Sequence, residues 1–478
     1  MLELNRSIDS LLKRIAGGNM KFLRWASVAL LLMATTSNTG QAQQDLQKQI
    51  VSLVAPYIDS GTLVGVSIGV IKDGDVLEIH LGSTGDPKVS TPDSNTIYEI
   101  GSVSKVFTGI LLGDAIARGE VERDQLAQEL LPENVTMPSG KKRSVTLIDL
   151  STHRSGLPRL PDNMTNPNGE EPYRDYDSKL AYEFLNRFKL KREPQALQEY
   201  SNFGVGLLGH LLCRKAGLSY EELLADRITG PLGMRDTFVT VPESAKPRFA
   251  VPHTVDGAKT STWDFADMPG AGGIRSTTND MLKFSKACLR SSDTPTGQAM
   301  ETAWKEYYSG GLTEIRMGLG WHFGIDRSTH WHNGQTGGFH TMFLVDRKTQ
   351  KALTVMSNTG SRDVDRLAMD IDKLLQGKTV EPRTFPVYIE VPVEKMERFV
   401  GKYELAPKLI FTVSVVDRKL MVGLTGQATH QVFAESDLKW RYKVVEASLT
   451  FYLAAQGNAT SVELFQNGVR QKAKRVEE

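Results

Sequence analysis

Two apolar, β-branched runs, Val64 to Ile71 and Val76 to Leu81, are separated by Lys72-Asp73-Gly74-Asp75, a spacing that predicts a β-hairpin turning at Asp73-Gly74. Ahead of them Leu46, Ile50, Leu53 and Val54 recur at helical intervals. A longer helix is expected from Ser102 to Arg118, with Gly119 as its stop. Helical stripes return at Leu180, Phe184, Leu185 and Phe188, and at Leu207, Leu208, Leu211 and Leu212, the second closed by Gly217. Ser219 with Glu222 forms a capping box for a short helix, and Asp280 to Leu289 gives another after the glycine-rich turn Gly270 to Ser276. Three strand-like runs follow, Thr329 to Gly334, Phe339 to Asp346 and Ala352 to Ser357, and then a helix with Val364, Leu367, Ile371, Leu374 and Leu375 on one face.

Two strands, a long helical insertion, three strands and a last helix make an α/β sandwich, a sheet with helices on its faces. Pro382, Pro386 and Pro392 then mark residues 378–392 as a linker. Beyond it the period changes to that of short antiparallel strands at Ile410 to Val416, Leu420 to Leu424, Leu438 to Val445 and Leu449 to Leu453, which predicts a small all-β barrel or sandwich over residues 393–478.

Composition adds exclusions. In the 478 residues, 57 basic side chains face 56 acidic ones, so there is no electrostatic footprint for nucleic acid. The apolar run Phe22 to Ala34, flanked by Lys21 and Arg24, is short for a span and reads as a signal peptide cleaved after about Ala42. Residues 1–42 are therefore expected to be leader and signal, with Met1 or Met20 as the start. A periplasmic or secreted product is expected, and an uncleaved anchor would be its one route to a membrane. Cys213 and Cys288 stand in helical stretches; a disulfide and two buried thiols are both open. No histidine or cysteine spacing suits a metal, and no cofactor is implied.

The chemistry begins at Ser102. Lys105, three residues on, falls on the same helical face, where a partly desolvated amine can lose its charge and take the serine's proton. The stretch Tyr98-Glu99-Ile100-Gly101-Ser102-Val103-Ser104-Lys105-Val106-Phe107-Thr108-Gly109 resembles the active-site signature of class C β-lactamases, within the penicillin-recognising serine hydrolases. Tyr200-Ser201-Asn202 resembles that family's Tyr-x-Asn. His332-Asn333-Gly334 stands where the family has Lys-Thr-Gly, followed by Thr336-Gly337-Gly338-Phe339 as in its next turn.

The resemblance implies a β-lactamase/transpeptidase-like antiparallel sheet over residues 43–377, flanked by helices, with a helical insertion. Ser102, Lys105 and Tyr200 would be catalytic, Tyr200 as a phenolate base. Asn202, His332, Asn333, Gly334 and Gln335 would bind substrate, the N–H of Gln335 joining that of Ser102 in an oxyanion hole. Gly334 would leave room for substrate along the strand. His332, in place of a permanent cation, would set substrate preference. His153 reads as a histidine bonded locally. The implied activity is hydrolysis of a small-molecule β-lactam or related acyl substrate through a Ser102 acyl-enzyme. A carboxylesterase or D-Ala-D-Ala carboxypeptidase with the same machinery, and a non-catalytic peptidoglycan binder, are the alternatives.

Overall fold

The computed structural model describes residues 41–290, 293–310, 315–455 and 457–476, in two units divided after Ser52. The signal-peptide reading of Phe22 to Ala34 and the choice between Met1 and Met20 lie outside the described residues. In the first unit residues 41–52 are helical; the second opens in helix through residue 59. No helix among the described residues is long and apolar enough to cross a membrane.

The hairpin is β1 (Gly65–Lys72) and β2 (Asp75–Gly82), with Asp73 and Gly74 both at positive φ in its turn. Residues 97–99 and 275–277 form a separate small pair, β3 (Ile97–Glu99) and β4 (Arg275–Thr277). Three short strands that the sequence reading did not anticipate follow: β5 (Tyr308–Gly310), β6 (Ile315–Met317) and β7 (His322–Phe323). The three expected strands are β8 (Thr329–Gln335), β9 (His340–Asp346) and β10 (Lys351–Ser357). Together they make an eight-stranded antiparallel sheet in the order β2-β1-β10-β9-β8-β7-β6-β5.

Register decides which side chains enter the core. Phe343, Val345, Ala352 and Met356 join the large helical core, while Leu344, Leu353 and Val355, pointing the other way, do not. Helix Asp363–Leu375 rests on β9 and β10 and helix Thr278–Leu289 on β1 and β10. The fold is thus the antiparallel sheet flanked by helices that the sequence implied. Cys213 and Cys288 are unpaired thiols, and burial pushes the Cys213 thiol up to about 12.

Residues 378–392 carry no helix or strand. The chain then closes eight antiparallel strands, from Gly401–Ala406 to Val469–Val476, into a barrel. Tyr403, Phe411, Trp440, Leu449 and Phe451 fill its interior.

Candidate active site

Ser102 sits in a 3-10 turn, Gly101–Val103, and the α-helix proper runs Ser104–Ala117. That corrects the expectation of a helix starting at Ser102, but Ser102 and Lys105 still share one face. The turn is held from both sides. Ile100 N donates to Ile274 O at 3.0 Å, and Ile274 N donates to Ser104 Oγ at 3.0 Å. Beneath it the buried Glu99 carboxylate accepts from Trp263 N at 2.8 Å and from Arg275 Nη2 at 3.2 Å.

Gly101 begins the turn at φ +52, left-handed geometry that favours glycine. Gly334 on β8 is there for a different reason from the one expected. A Cβ on it would lie 2.0 Å from Ile100 O and 2.7 Å from Ser102 N, so the space its missing side chain leaves is taken by the Gly101–Val103 turn, not by substrate. A Cβ on Gly101 would likewise lie 2.7 Å from Gln335 N. The amides of Ser102 and Gln335 are thereby neighbours, as two donors to one oxyanion would have to be. Gly334→Ala should push turn and strand apart. Since a misplacement near 1 Å costs about a hundredfold, kcat/KM should fall by at least about that factor while circular dichroism stays native. A fully active Gly334→Ala would show that the two amides do not act together.

Lys105 is fully buried, its Nζ 3.1 Å from Ser102 Oγ and bonded to Ala271 O. No carboxylate pairs with it among the described residues. Burial, reinforced by the like charge of Arg159, holds the amine well below its ordinary value.

Tyr200 precedes helix Asn202–Ala216, which Ser201 caps through Gly204 N to Ser201 Oγ at 2.8 Å. It borders the same cleft as Ser102, and its ring lies 5.0 Å from Lys105 Nζ. Burial pushes the Tyr200 phenol well up, against the phenolate expected from sequence.

His153 does more than bond locally. Its Nδ1 accepts from Ser201 N at 3.1 Å, which puts its proton on Nε2, and its ring lies 4.4 Å from that of Tyr200. It therefore positions the Tyr200 segment from a turn 48 residues earlier. Asn202 lines the cleft. Its Nδ2 donates to Tyr173 Oη at 2.7 Å, and its buried Oδ1 has no partner among the described residues.

His332 is placed otherwise than expected. It is 1% exposed and packs beside Tyr200 and His322, ring centroids 6.3 and 4.9 Å away, instead of lining the cleft. Its Nδ1–H donates to Asn333 O at 2.5 Å. Burial, then His322 and Lys105, keeps this imidazole far below its usual value and so uncharged. A strand histidine covered by a neighbouring strand's histidine is a tertiary fact that β8 alone does not carry.

Above these residues opens a cleft of about 860 Å³, lined by Ser102, Tyr200, Asn202, Asn333, Gln335 and Arg159 among others. Asn333 is braced by Asp365 at 2.9 Å and Gln335 by Gly360 O at 2.9 Å. Glu170 and Glu171, engaged by Ser261 and Arg174, do not line it. Arg159 does, with its guanidinium 5.2 Å from the Tyr200 ring. It forms no ion pair among the described residues, and it was not foreseen: one arginine after Leu157-Pro158 in an irregular loop belongs to no periodic pattern.

The sequence model of a family described as Beta-lactamase matches residues 50–378. The chain is similar to a beta-lactamase of Escherichia coli (strain K12), 27% identical over 300 residues, which cover 62% of this chain and 75% of that protein. A beta-lactamase of Pseudomonas fluorescens is 28% identical over 281 residues, 58% of this chain and 74% of its own. The D-alanyl-D-alanine-carboxypeptidase/endopeptidase AmpH of Escherichia coli (strain K12) is 27% identical over 360 residues, 69% of this chain and 90% of its own.

Proposed function

Since the chain belongs to the beta-lactamase family, we propose that it is a serine hydrolase of class C type that opens β-lactam or related acyl bonds through a Ser102 acyl-enzyme. The observation that carries this reading is the buried Lys105 amine, free of any carboxylate among the described residues and 3.1 Å from Ser102 Oγ. Neutral Lys105 takes the Ser102 proton as Oγ attacks the carbonyl carbon. The Ser102 and Gln335 amides receive the oxyanion. As the intermediate collapses, the leaving nitrogen or oxygen takes a proton from the Tyr200 phenol, which Lys105 replenishes. Water then attacks the acyl carbon, with its proton returned along the same route, and Ser102 is released. This assigns the base role to Lys105 and a relay role to Tyr200, in keeping with the directions in which burial moves the two groups.

A D-alanyl peptide is the second reading of the substrate, supported by the longer span shared with AmpH. Export is part of the proposal and rests on the Phe22 to Ala34 stretch. Turnover of nitrocefin, p-nitrophenyl acetate and a D-alanyl dipeptide on one preparation tests it: hydrolysis of at least one, lost in Ser102→Ala, is expected, and failure on all three would sink it.

Arg159 gives a pH test with a definite sign. Activity needs the neutral amine, so it rises with pH through the Lys105 titration. Arg159→Ala removes a like charge that holds this pKa down, so the ascending limb of kcat/KM should move to higher pH, while Arg159→Lys should leave it close to wild type. An unmoved limb would mean that the limb does not report Lys105.

A further inference from the structure

The catalytic cleft is continuous with a second groove of about 860 Å³, since Val255, Gln335, Gly360, Arg362 and Val444 line both. The groove runs between helix Asp363–Leu375, the segment 378–392 and the barrel. Two barrel residues, His430 and Val444, reach the cleft itself.

Val444 belongs to the turn Lys443-Val444-Val445-Glu446 between barrel strands Lys439–Tyr442 and Ala447–Leu453. Its two valines are 39% and 43% exposed, where turn chemistry favours Gly, Asn or Asp. The turn is fixed at both ends. Glu446 pairs with Arg366 of the hydrolase helix at 3.1 Å, and Lys443 Nζ lies 4.3 Å from the Phe433 ring centroid and 5.2 Å from that of Tyr388.

Charge indicates what could lie there. Arg366, Arg383 and Arg441 in the groove are each paired with carboxylates, Asp363 and Glu446, Asp370, and Glu435. Arg362, where the cleft meets the groove, is exposed and forms no ion pair among the described residues. An exposed guanidinium with an empty fork matches a carboxylate bidentately.

We infer that the barrel is part of the substrate-binding surface: the Lys443–Glu446 turn and Arg362 receive the far portion of an extended, carboxylate-bearing peptide whose reacting acyl group lies at Ser102. The inference rests on the acyl-hydrolase reading and adds a length requirement to it. Apolar contact with Val444 and Val445 and one charge-assisted pair would favour a chain long enough to pass the junction over a compact acyl group.

Binding tests this without turnover. On the full chain carrying Ser102→Ala, calorimetry compares N-acetyl-D-Ala-D-Ala with an N-acetyl hexapeptide that ends in D-Ala-D-Ala and carries two glutamates upstream. The hexapeptide should bind at least about tenfold tighter. Adding Val444→Trp, which fills the junction, should bring the two Kd values within about twofold of each other. Arg362→Ala should erase most of the same advantage and Arg362→Lys restore part of it. Equal binding of the two peptides, no binding of the hexapeptide, or a length advantage that survives both variants would overturn the inference. Absence of turnover in the unsubstituted chain would count against the hydrolase reading and leave the binding result to stand alone.

Discussion

Ser102→Ala should remove covalent labelling by a fluorophosphonate and lower kcat/KM by about five to six orders of magnitude, leaving only what the oxyanion amides and binding supply. The substitution deletes one oxygen, and the turn that holds it is fixed by the Ile100–Ile274 and Ile274–Ser104 bonds, neither of which involves the Ser102 side chain. Thermal stability should therefore stay close to wild type. The sharpest opposing result is a Ser102→Ala chain that turns over substrate at wild-type rate, which would move the nucleophile elsewhere.

The second large effect concerns Lys105 and Tyr200. Lys105 bonds Ser102, Tyr200 lies beside Lys105 and lines the same cleft, and the proposed proton path needs both, so their losses should not add. Lys105→Met keeps the buried volume and removes the amine; it should cost about four orders of magnitude in kcat/KM. Tyr200→Phe keeps the ring that packs against His153 and removes only the relay, at a cost of about 10²- to 10⁴-fold. The double variant should be little worse than Lys105→Met. Strictly additive losses in the cycle would assign the two residues to separate steps and break the relay.

Much of this was legible in the sequence because periodicity and short-range spacing carry it. The pair Ser102 and Lys105 is local, the β1–β2 hairpin and β8 to β10 announce themselves as short strand-like runs, and helix Asp363–Leu375 by its period of 3.6. Strands β5 to β7 do not: each is two or three residues long, too short to show alternation. The barrel was half legible. Its last strand, Val469–Val476, is Val-Arg-Gln-Lys-Ala-Lys-Arg-Val with only Ala473 buried, so it pairs without a hydrophobic signature. In the site, the misreadings share one cause. Whether His332 faces substrate or lies buried against His322, whether Gly334 admits a ligand or the Ile100 carbonyl, and whether Arg159 reaches Tyr200 are all set by contacts between segments far apart in the chain. The motif names the residues; only the packing shows which way each one faces.

The central claim, acyl transfer through Ser102, is tested most directly by quenching the protein in acid during turnover of a slow β-lactam or after fluorophosphonate treatment, then measuring intact mass and mapping the modified peptide. The account predicts one adduct per chain, on Ser102. An adduct on any other residue, or steady turnover with no adduct under any quench, would contradict it.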